Sequence, residues 1–185
     1  IYEGGTRFMV DSGFVVPMQE LIEKYSIDIS QLEENILSYY TVNNQLYSMP
    51  MNTSVPVCYY NKTVLSQVGY PDGPKSWDDI ITISKAVMEQ NLATWGIALS
   101  TNMWWFELML LQQGVDLVDQ DNGRAAPATR TVFADNELSY QIAEKWLYLY
   151  QNGYASNTGF ASSDCRTVFF AGLAPIILDS SSSLR

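Results

Sequence analysis

The sequence contains no histidine, so it lacks the commonest general base and the commonest metal ligand. Cysteine is nearly as scarce: Cys58 and Cys165 are too few and too far apart along the chain for a metal cluster. We therefore predict no catalytic residue, no metal site and no cofactor. We expect two buried thiols, and a disulfide, which requires an oxidising compartment, is the alternative left open.

Basic residues are also scarce. Ten Lys and Arg stand against twenty Asp and Glu, for a formal net charge of −10. Nucleic-acid binding depends on a basic patch, so we predict no nucleic-acid partner. An anionic small ligand is still compatible with this charge, because backbone N–H groups and helix dipoles can hold one. No run of about 18 apolar residues is present, so the sequence predicts no membrane-spanning helix.

The usual nucleotide and hydrolase motifs are missing as well. The sequence has no Gly-x-Gly-x-x-Gly, no phosphate-binding loop ending in Gly-Lys-Ser/Thr, and no Gly-x-Ser-x-Gly. Two pairs of adjacent acids occur, Glu33-Glu34 and Asp78-Asp79. Neighbouring residues of a helix do not face one another, so we interpret both pairs as solvated helix faces.

Hydrophobic periodicity and helix-end signals predict alternating helices and strands. The predicted helices cover 18–25, 62–68, a segment beginning at Trp77, 103–113, 137–152 and 164–171. The predicted strands cover 45–49, 55–60, 95–99 and 174–178. Residues 26–44 and 116–130 are predicted to be irregular. Because no Asn-Gly hairpin signal joins the strands, the pattern favours an α/β fold with layered helices.

Small polar residues lie at the predicted strand ends. The segment 52–54 ends with Ser54 directly before one strand, Ser180 to Ser183 follow another, and Glu3 precedes a Gly-Gly turn. Ligands of open α/β sheets bind outside the carboxyl ends of the strands. Hydroxyl groups and a carboxylate in such places favour a polyol or a sugar-like ligand.

The adjacent pair Trp104-Trp105 could add an aromatic face to such a site. Neighbouring helical residues point about 100° apart, so one indole can pack inside while Trp104 faces a cleft. Packing of both indoles in the core is the alternative left open.

A longer pattern begins at Gln45. It runs Tyr-Ser-Met-Pro-Met-Asn-Thr-Ser, continues through a strand ending Tyr60-Asn61-Lys62, and reaches Pro-Lys-Ser-Trp-Asp at 74–78. This pattern resembles the family 1 extracellular solute-binding proteins of ABC importers, the maltose-binding-like group, and within it the glycerol-3-phosphate-binding proteins. The likeness extends to residues 3–6 and 169–184, and so covers nearly the whole chain.

The resemblance implies an α/β, class II periplasmic-binding-protein-like fold of two lobes, of which this sequence is a partial chain. Residues 1–52 are then expected to be a remnant of the N-terminal lobe, and 53–185 most of the C-terminal lobe. The hinge crossing is expected near 51–57.

The same resemblance places Glu3, Ser54 and Ser180 on positions that hydrogen-bond the ligand, and Trp104 on a position that lines the cleft. Ser183, in the same serine-rich loop as Ser180, completes the predicted ligand-binding set. The chain departs from the family by carrying Ser182 where a glycine is usual.

The implied partners are a small-molecule ligand (a sugar, polyol or glycerophosphate) and the membrane permease of an ABC importer. We expect a non-enzymatic monomer in the periplasm or at the cell surface, with lipid anchoring left open. Two alternatives remain. One is a carbohydrate-active enzyme, with Glu3 and either Glu107 or Asp179 as its carboxylates; the other is a sugar-binding module not tied to transport.

Overall fold

The computed structural model describes residues 5–183. Its helices are α1 (Thr6–Asp11), α2 (Met18–Tyr25), α3 (Glu34–Tyr39), α4 (Lys62–Gln67), α5 (Trp77–Glu89), α6 (Met103–Gln112), α7 (Asp119–Gly123), α8 (Glu137–Gln151) and α9 (Ser162–Phe170). The short α7 is a left-handed turn, because Gln120, Asp121 and Asn122 have φ angles of 59°, 56° and 51°. Its strands are β1 (Thr41–Val42), β2 (Gln45–Leu46), β3 (Pro56–Tyr60), β4 (Ile97–Leu99), β5 (Ala155–Asn157) and β6 (Ile176–Ser180). Short 3-10 turns cover Phe133–Asp135 and Ser181–Ser183.

The chain divides into two compact units. The first comprises Ile1–Thr53 and Val118–Thr131, and the second comprises Ser54–Leu117 and Val132–Arg185. The change of unit after residue 53 falls inside the segment where the hinge crossing was expected. Residues 118–131, which the sequence boundaries assigned to the C-terminal lobe, group with the first unit instead. That the units correspond to the lobes of a binding protein stays a prediction.

Contacts of Arg124 tie residues 118–131 to the first unit. Its Nη1 donates to the carbonyl oxygens of Ser38 at 3.0 Å and Tyr39 at 3.2 Å. Its guanidinium carbon also lies 4.4 Å from the centroid of the Tyr39 ring. In return, Nη1 of Arg7 donates to the Arg124 carbonyl oxygen at 3.3 Å.

The first unit contains a hairpin that the sequence did not predict. Strands β1 and β2 pair antiparallel across Asn43 and Asn44, whose φ angles are 52° and 60°. Asparagine tolerates the left-handed conformation, so Asn-Asn makes the tight turn that Asn-Gly makes more often. The helix α3 just before β1 was also predicted to be irregular chain.

The second unit holds a four-stranded sheet in the order β3-β6-β4-β5. Strand β4 runs parallel to both β5 and β6, while β3 runs antiparallel to β6. In the register, Pro56 lies opposite Ser180 and Ala98 lies opposite Ile177. The carboxyl ends of β4, β5 and β6 therefore share one sheet edge with the start of β3.

Helices pack against both faces of this sheet. Ile97 and Leu99 of β4 join a buried cluster with residues of α5 and α8, whereas Ala98 joins a second cluster with Cys165 of α9. Successive strand residues point to opposite faces, which explains the division. The predicted layered α/β arrangement is confirmed in this unit.

Side-chain caps fix where four helices of the second unit begin. In each case a side-chain oxygen of the N-cap residue accepts a hydrogen bond from a backbone N–H two or three residues later. The pairs are Asn61 with Val64, Ser76 with Asp79, Asn102 with Trp104, and Asn136 with Leu138. Three of these capping residues, Asn61, Ser76 and Asn136, directly precede helices that were predicted from the sequence.

The two cysteines lie in different environments and both are free thiols. Cys165 is buried as expected, but Cys58 is exposed on β3, where burial was predicted. The expectation was wrong there because β3 pairs only with β6 within the described chain, and the strand is at most partly covered.

Within residues 5–183, no group of acidic or thiol side chains has the makings of a metal site. No helix there combines the length and apolar character needed to cross a membrane.

Candidate functional site

Polar segments follow or precede every strand at one edge of the second sheet. We call residues 54–55, 100–104, 158–160 and 180–183 the carboxyl edge. Residues 100–104 follow β4, 158–160 follow β5, 180–183 end and follow β6, and 54–55 lead into β3. Strand pairing alone therefore brings together segments distant in sequence.

The serine turn, Ser180 to Ser183, is the most polar part of this edge. The hydroxyl oxygens of Ser180 and Ser182 lie 2.8 Å apart, and the Ser182 N–H donates to Ser180 Oγ at 3.1 Å. Ser182 is exposed, and Ser180 and Ser183 are half-buried. Because Ser180 Oγ already accepts from the backbone, its own proton can be directed to a neighbouring hydroxyl or to a ligand oxygen.

Ser54 lies beside this turn. The next residue, Val55, donates its N–H to Ser181 Oγ at 3.2 Å and accepts from the Ser181 N–H at 2.9 Å. Ser54 is exposed and directly precedes the residue that pairs with this turn. The antiparallel pairing of β3 with β6 thus holds Ser54 and the serine turn together.

A buried carboxylate supports the turn from below. Asp179 is only 3% exposed, and its Oδ1 accepts from the Ser180 N–H at 2.8 Å. Arg166 of α9 donates through Nη1 to Asp179 Oδ2 at 3.1 Å and to Ser183 Oγ at 3.0 Å. The negative charge of Asp179 is thereby balanced by the positive charge of Arg166, as is usual for a buried charge.

Trp104, the second residue of α6, lies at the carboxyl edge. The Asn102 side chain accepts from the Trp104 N–H at 3.0 Å, and Ser100 Oγ donates to the Phe160 carbonyl at 2.8 Å, which links two of the strand-end segments. Trp105 is 2% exposed and Trp104 is half-buried, with ring centroids 4.6 Å apart. The two indoles differ in burial, so they do not both lie fully in the core.

The thiol of Cys165 contacts the segment 158–160 that follows β5. The Cys165 Sγ is 3.0 Å from Thr158 Oγ1, and burial raises the pKa of this thiol above its ordinary value. A thiol that is kept protonated is a weak nucleophile. Cys165 therefore acts here as a packing group and a weak hydrogen-bond partner.

Four of the five predicted site residues lie at the carboxyl edge: Ser54, Trp104, Ser180 and Ser183. The fifth, Glu3, lies outside the described residues. Ligand binding by each of these residues stays a prediction.

Sequence reasoning missed two polar residues of this region. Ser100 follows a predicted strand directly, so the strand-end rule that found the serine turn could have found it. Arg166 lies in the middle of a predicted helix, and nothing in its local sequence shows that it reaches the serine turn.

The model of the bacterial extracellular solute-binding protein family matches residues 2–184. The chain belongs to this family. The resemblance stated from the sequence is thereby confirmed.

Relatives include the sn-glycerol-3-phosphate-binding periplasmic protein UgpB of Brucella abortus strain 2308. It is 29% identical over 113 residues, which is 58% of this chain and 26% of the relative. UgpB of Salmonella typhimurium is 35% identical over 86 residues, covering 43% of this chain and 20% of the relative. The chain thus spans about a quarter of the length of the curated relatives it matches.

Solved structures of similar fold include UgpB from Mycobacterium tuberculosis in complex with glycerophosphocholine. It matches with a TM-score of 0.74 and 21% identity, over 96% of this chain and 43% of that one. The sugar-binding protein MalE from Xanthomonas citri matches with a TM-score of 0.67 and 22% identity, over 92% of this chain and 42% of that one. The predicted periplasmic-binding-protein-like fold is confirmed by these similarities.

Proposed function

We propose that this chain is part of the solute-binding subunit of an ABC importer and that the carboxyl edge of its second sheet contacts the ligand. The observation that supports this most directly is the meeting of Ser54, the serine turn and Trp104 at one edge of one sheet. Strand ends of open α/β sheets are the usual place for ligands. The hydroxyl groups of Ser54, Ser180 and Ser183 and the indole of Trp104 fit a hydroxyl-rich molecule.

The ligand class is a sugar, a polyol or a glycerol-3-phosphate-like molecule. The names of the curated relatives favour glycerol 3-phosphate, and the solved structures of similar fold include one in complex with glycerophosphocholine and others described as sugar-binding. At this edge, the cation Arg166 is already paired with Asp179. The described edge therefore suits the hydroxyl groups of such a ligand better than its phosphate.

The edge alone does not account for tight binding. A neutral hydrogen bond contributes about 0.5–1.5 kcal/mol net, while micromolar affinity requires about 8 kcal/mol. Three hydroxyls and one indole therefore need further contacts. We expect these from other parts of the protein, in keeping with the two-lobe capture that the family resemblance implies.

We propose a binding role without catalysis, and the environment of Asp179 supports this. The alternative of a carbohydrate-active enzyme used Asp179 as one of two carboxylates flanking a cleft. Asp179 is buried and hydrogen-bonded by Arg166 and the Ser180 N–H, so it is not free to reach a glycosidic oxygen. We propose that the protein acts in the periplasm or at the cell surface, as a monomer that delivers its ligand to a membrane permease.

The test is calorimetry on the purified protein with sn-glycerol 3-phosphate, glycerophosphocholine and maltose. We expect saturable heat with at least one of them and a dissociation constant in the micromolar range. Tryptophan fluorescence measured in parallel should change at the same ligand concentrations, because Trp104 lies at the proposed contact surface.

Two results would contradict the proposal. The first is a folded protein, shown by circular dichroism and a cooperative thermal transition, that gives no heat with any of the three compounds. The second is the appearance of hydrolysis products when glycerophosphocholine or maltose is incubated with the protein and analysed by chromatography, which would support the enzyme alternative.

A further inference from the structure

Arg166 and Asp179 form a pair beneath the serine turn that the proposed function leaves without a role. Arg166 belongs to α9, whereas Asp179 is the penultimate residue of β6. One guanidinium nitrogen of Arg166 donates both to Asp179 and to Ser183 Oγ, at 3.1 and 3.0 Å. The pair therefore connects the helix, the strand and the far end of the turn.

Asp179 holds the near end of the same turn. Its Oδ1 accepts from the Ser180 N–H at 2.8 Å and from Arg166 Nη1 at 3.4 Å. The carboxylate is 4% exposed at its side chain, while the Arg166 side chain is 38% exposed. Charge-assisted hydrogen bonds in such a place are shorter and stronger than neutral ones, so both ends of the turn are fixed to one buried anchor.

The observed contacts of both residues are with each other and with the turn. The buried Asp179 carboxylate accepts from Arg166 and from the Ser180 N–H, and Arg166 Nη1 donates to Asp179 and to Ser183. Ser180 and Ser183, the two turn residues predicted to contact the ligand, are the residues that the pair holds. The pair contacts the Ser183 hydroxyl directly, and it fixes the backbone from which the Ser180 hydroxyl projects.

We infer that Arg166 and Asp179 are positioning residues that hold the serine turn in its ligand-binding conformation. This inference rests on the proposed function, because it concerns the same site. It assigns a part in ligand specificity to an ion pair whose observed contacts are with the serine turn. If the pair is removed without leaving a lone charge, the hydroxyls of the turn remain but their directions are no longer fixed.

The experiment compares the wild type with the double variant Arg166→Met/Asp179→Asn. Removing Arg166 alone would leave a buried unpaired carboxylate and endanger folding, so both members are replaced by neutral side chains of similar size. The single variant Arg166→Lys keeps the positive charge and tests whether charge alone preserves the order of the turn and the ligand affinity that the double variant loses. The matched control is Lys85→Met/Glu89→Gln, which removes the exposed ion pair of α5 at 3.9 Å.

Two quantities are measured: amide hydrogen exchange of residues 180–183, and affinity for sn-glycerol 3-phosphate, glycerophosphocholine and maltose by calorimetry. We expect faster exchange in the turn of the double variant and about tenfold weaker binding of whichever compounds the wild type binds, as for the loss of one or two oriented hydrogen bonds. Arg166→Lys should recover part of both effects. The control variant should match the wild type.

A folded double variant whose turn exchanges at the wild-type rate, or whose affinity is unchanged, overturns this inference and leaves the proposed function intact. A wild-type protein that binds none of the three compounds overturns the proposed function and the inference with it. The wild-type titration distinguishes these two failures.

Discussion

Trp104 and Trp105 show how adjacent residues divide between two environments. Trp105 is 2% exposed among the core contacts of α6, whereas Trp104 keeps part of its indole accessible at the carboxyl edge. The helical turn of about 100° per residue accounts for the division. A fluorescence signal from ligand binding should therefore come mainly from Trp104.

Replacing Trp104 by Phe keeps an aromatic face but removes this fluorophore. We expect the ligand-dependent fluorescence change to fall sharply, while the dissociation constant measured by calorimetry rises less than about tenfold, equivalent to about 1.4 kcal/mol. Trp146→Phe, on α8, serves as the control and should keep the full fluorescence response. An undiminished response in Trp104→Phe would show that Trp104 does not lie near the ligand.

That Ser54 and the serine turn lie at strand ends was predictable from the sequence, because they adjoin strands with clear apolar patterns. Their contact with a ligand stays a prediction. Arg166 was not predictable, because its contact with Asp179 joins a helix face to a strand end across the fold. Long-range side-chain contacts of this kind have no local sequence pattern.

Among the elements, those that end in strong local signals were predicted best. Asn136 and Gly153 bracket α8, and Asn61 and Gly69 bracket α4, within a residue or two of the observed ends. The strands missed were short, namely β5 and β1, whereas β2 lies within the predicted strand 45–49. Three residues are too few for a periodic pattern, and β5 exists because it pairs with β4.

Helix α5 approaches the backbone closely at Gly96, the residue directly before β4. A Cβ added there would overlap the Cα and side chain of Ser84, which is fully buried on α5. We expect Gly96→Ala to lower the free energy of unfolding by about 2–3 kcal/mol, because the overlap forces helix and strand apart. Urea denaturation measures this. The control is Gly5→Ala, because nothing lies within 4 Å of a Cβ added there. It should change the free energy of unfolding by less than about 0.5 kcal/mol. Equal effects of the two substitutions would contradict the close packing at Gly96.

Tyr150 connects α8 to the end of β4. Its hydroxyl donates to the Leu99 carbonyl at 2.6 Å. Burial, with a smaller contribution from Cys165, raises the pKa of Tyr150 to about 12 from a usual value near 10. The folded state thus retains the phenolic proton at a pH where the unfolded chain has lost it.

The stability from Tyr150 should be fully present below pH 10 and lost as the pH rises towards 12. Because the side chain is only partly buried, we expect this loss to be about 1–2 kcal/mol. The measurement is the difference in unfolding free energy between wild type and Tyr150→Phe at pH 8 to 11.5. The difference should shrink at the alkaline end; a constant difference would contradict the assigned shift.

At the scale of the whole molecule, the chain groups into two units. The change of unit after residue 53 lies within 51–57, where the hinge crossing is predicted, and residues 118–131 group with the first unit. Arg124 contributes contacts to this grouping, and its hydrogen-bond partners are the backbone carbonyls of Ser38 and Tyr39. Backbone acceptors occur at every residue, so no pattern in the sequence reveals which ones an arginine selects.

Replacing Arg124 by Ala should release residues 118–131 from the first unit. We expect amide hydrogen exchange across this segment to become faster, since two hydrogen bonds and the stacking on Tyr39 are lost together. Lys85→Ala, on the exposed face of α5, is the control and should leave the segment unchanged. Equal exchange in Arg124→Ala and the wild type would show that other contacts hold the segment.

The central claim is that the carboxyl edge of the second sheet contacts a hydroxyl-rich ligand. Its most direct test is a calorimetric comparison of the wild type, Ser180→Ala and the control Ser66→Ala, whose hydroxyl bonds only within α4. With glycerophosphocholine, sn-glycerol 3-phosphate or maltose, we expect Ser180→Ala to weaken binding by about 3- to 10-fold, the cost of one neutral hydrogen bond, and Ser66→Ala to bind like the wild type. Identical affinities for the wild type and Ser180→Ala, in proteins that unfold at the same temperature, would contradict the account.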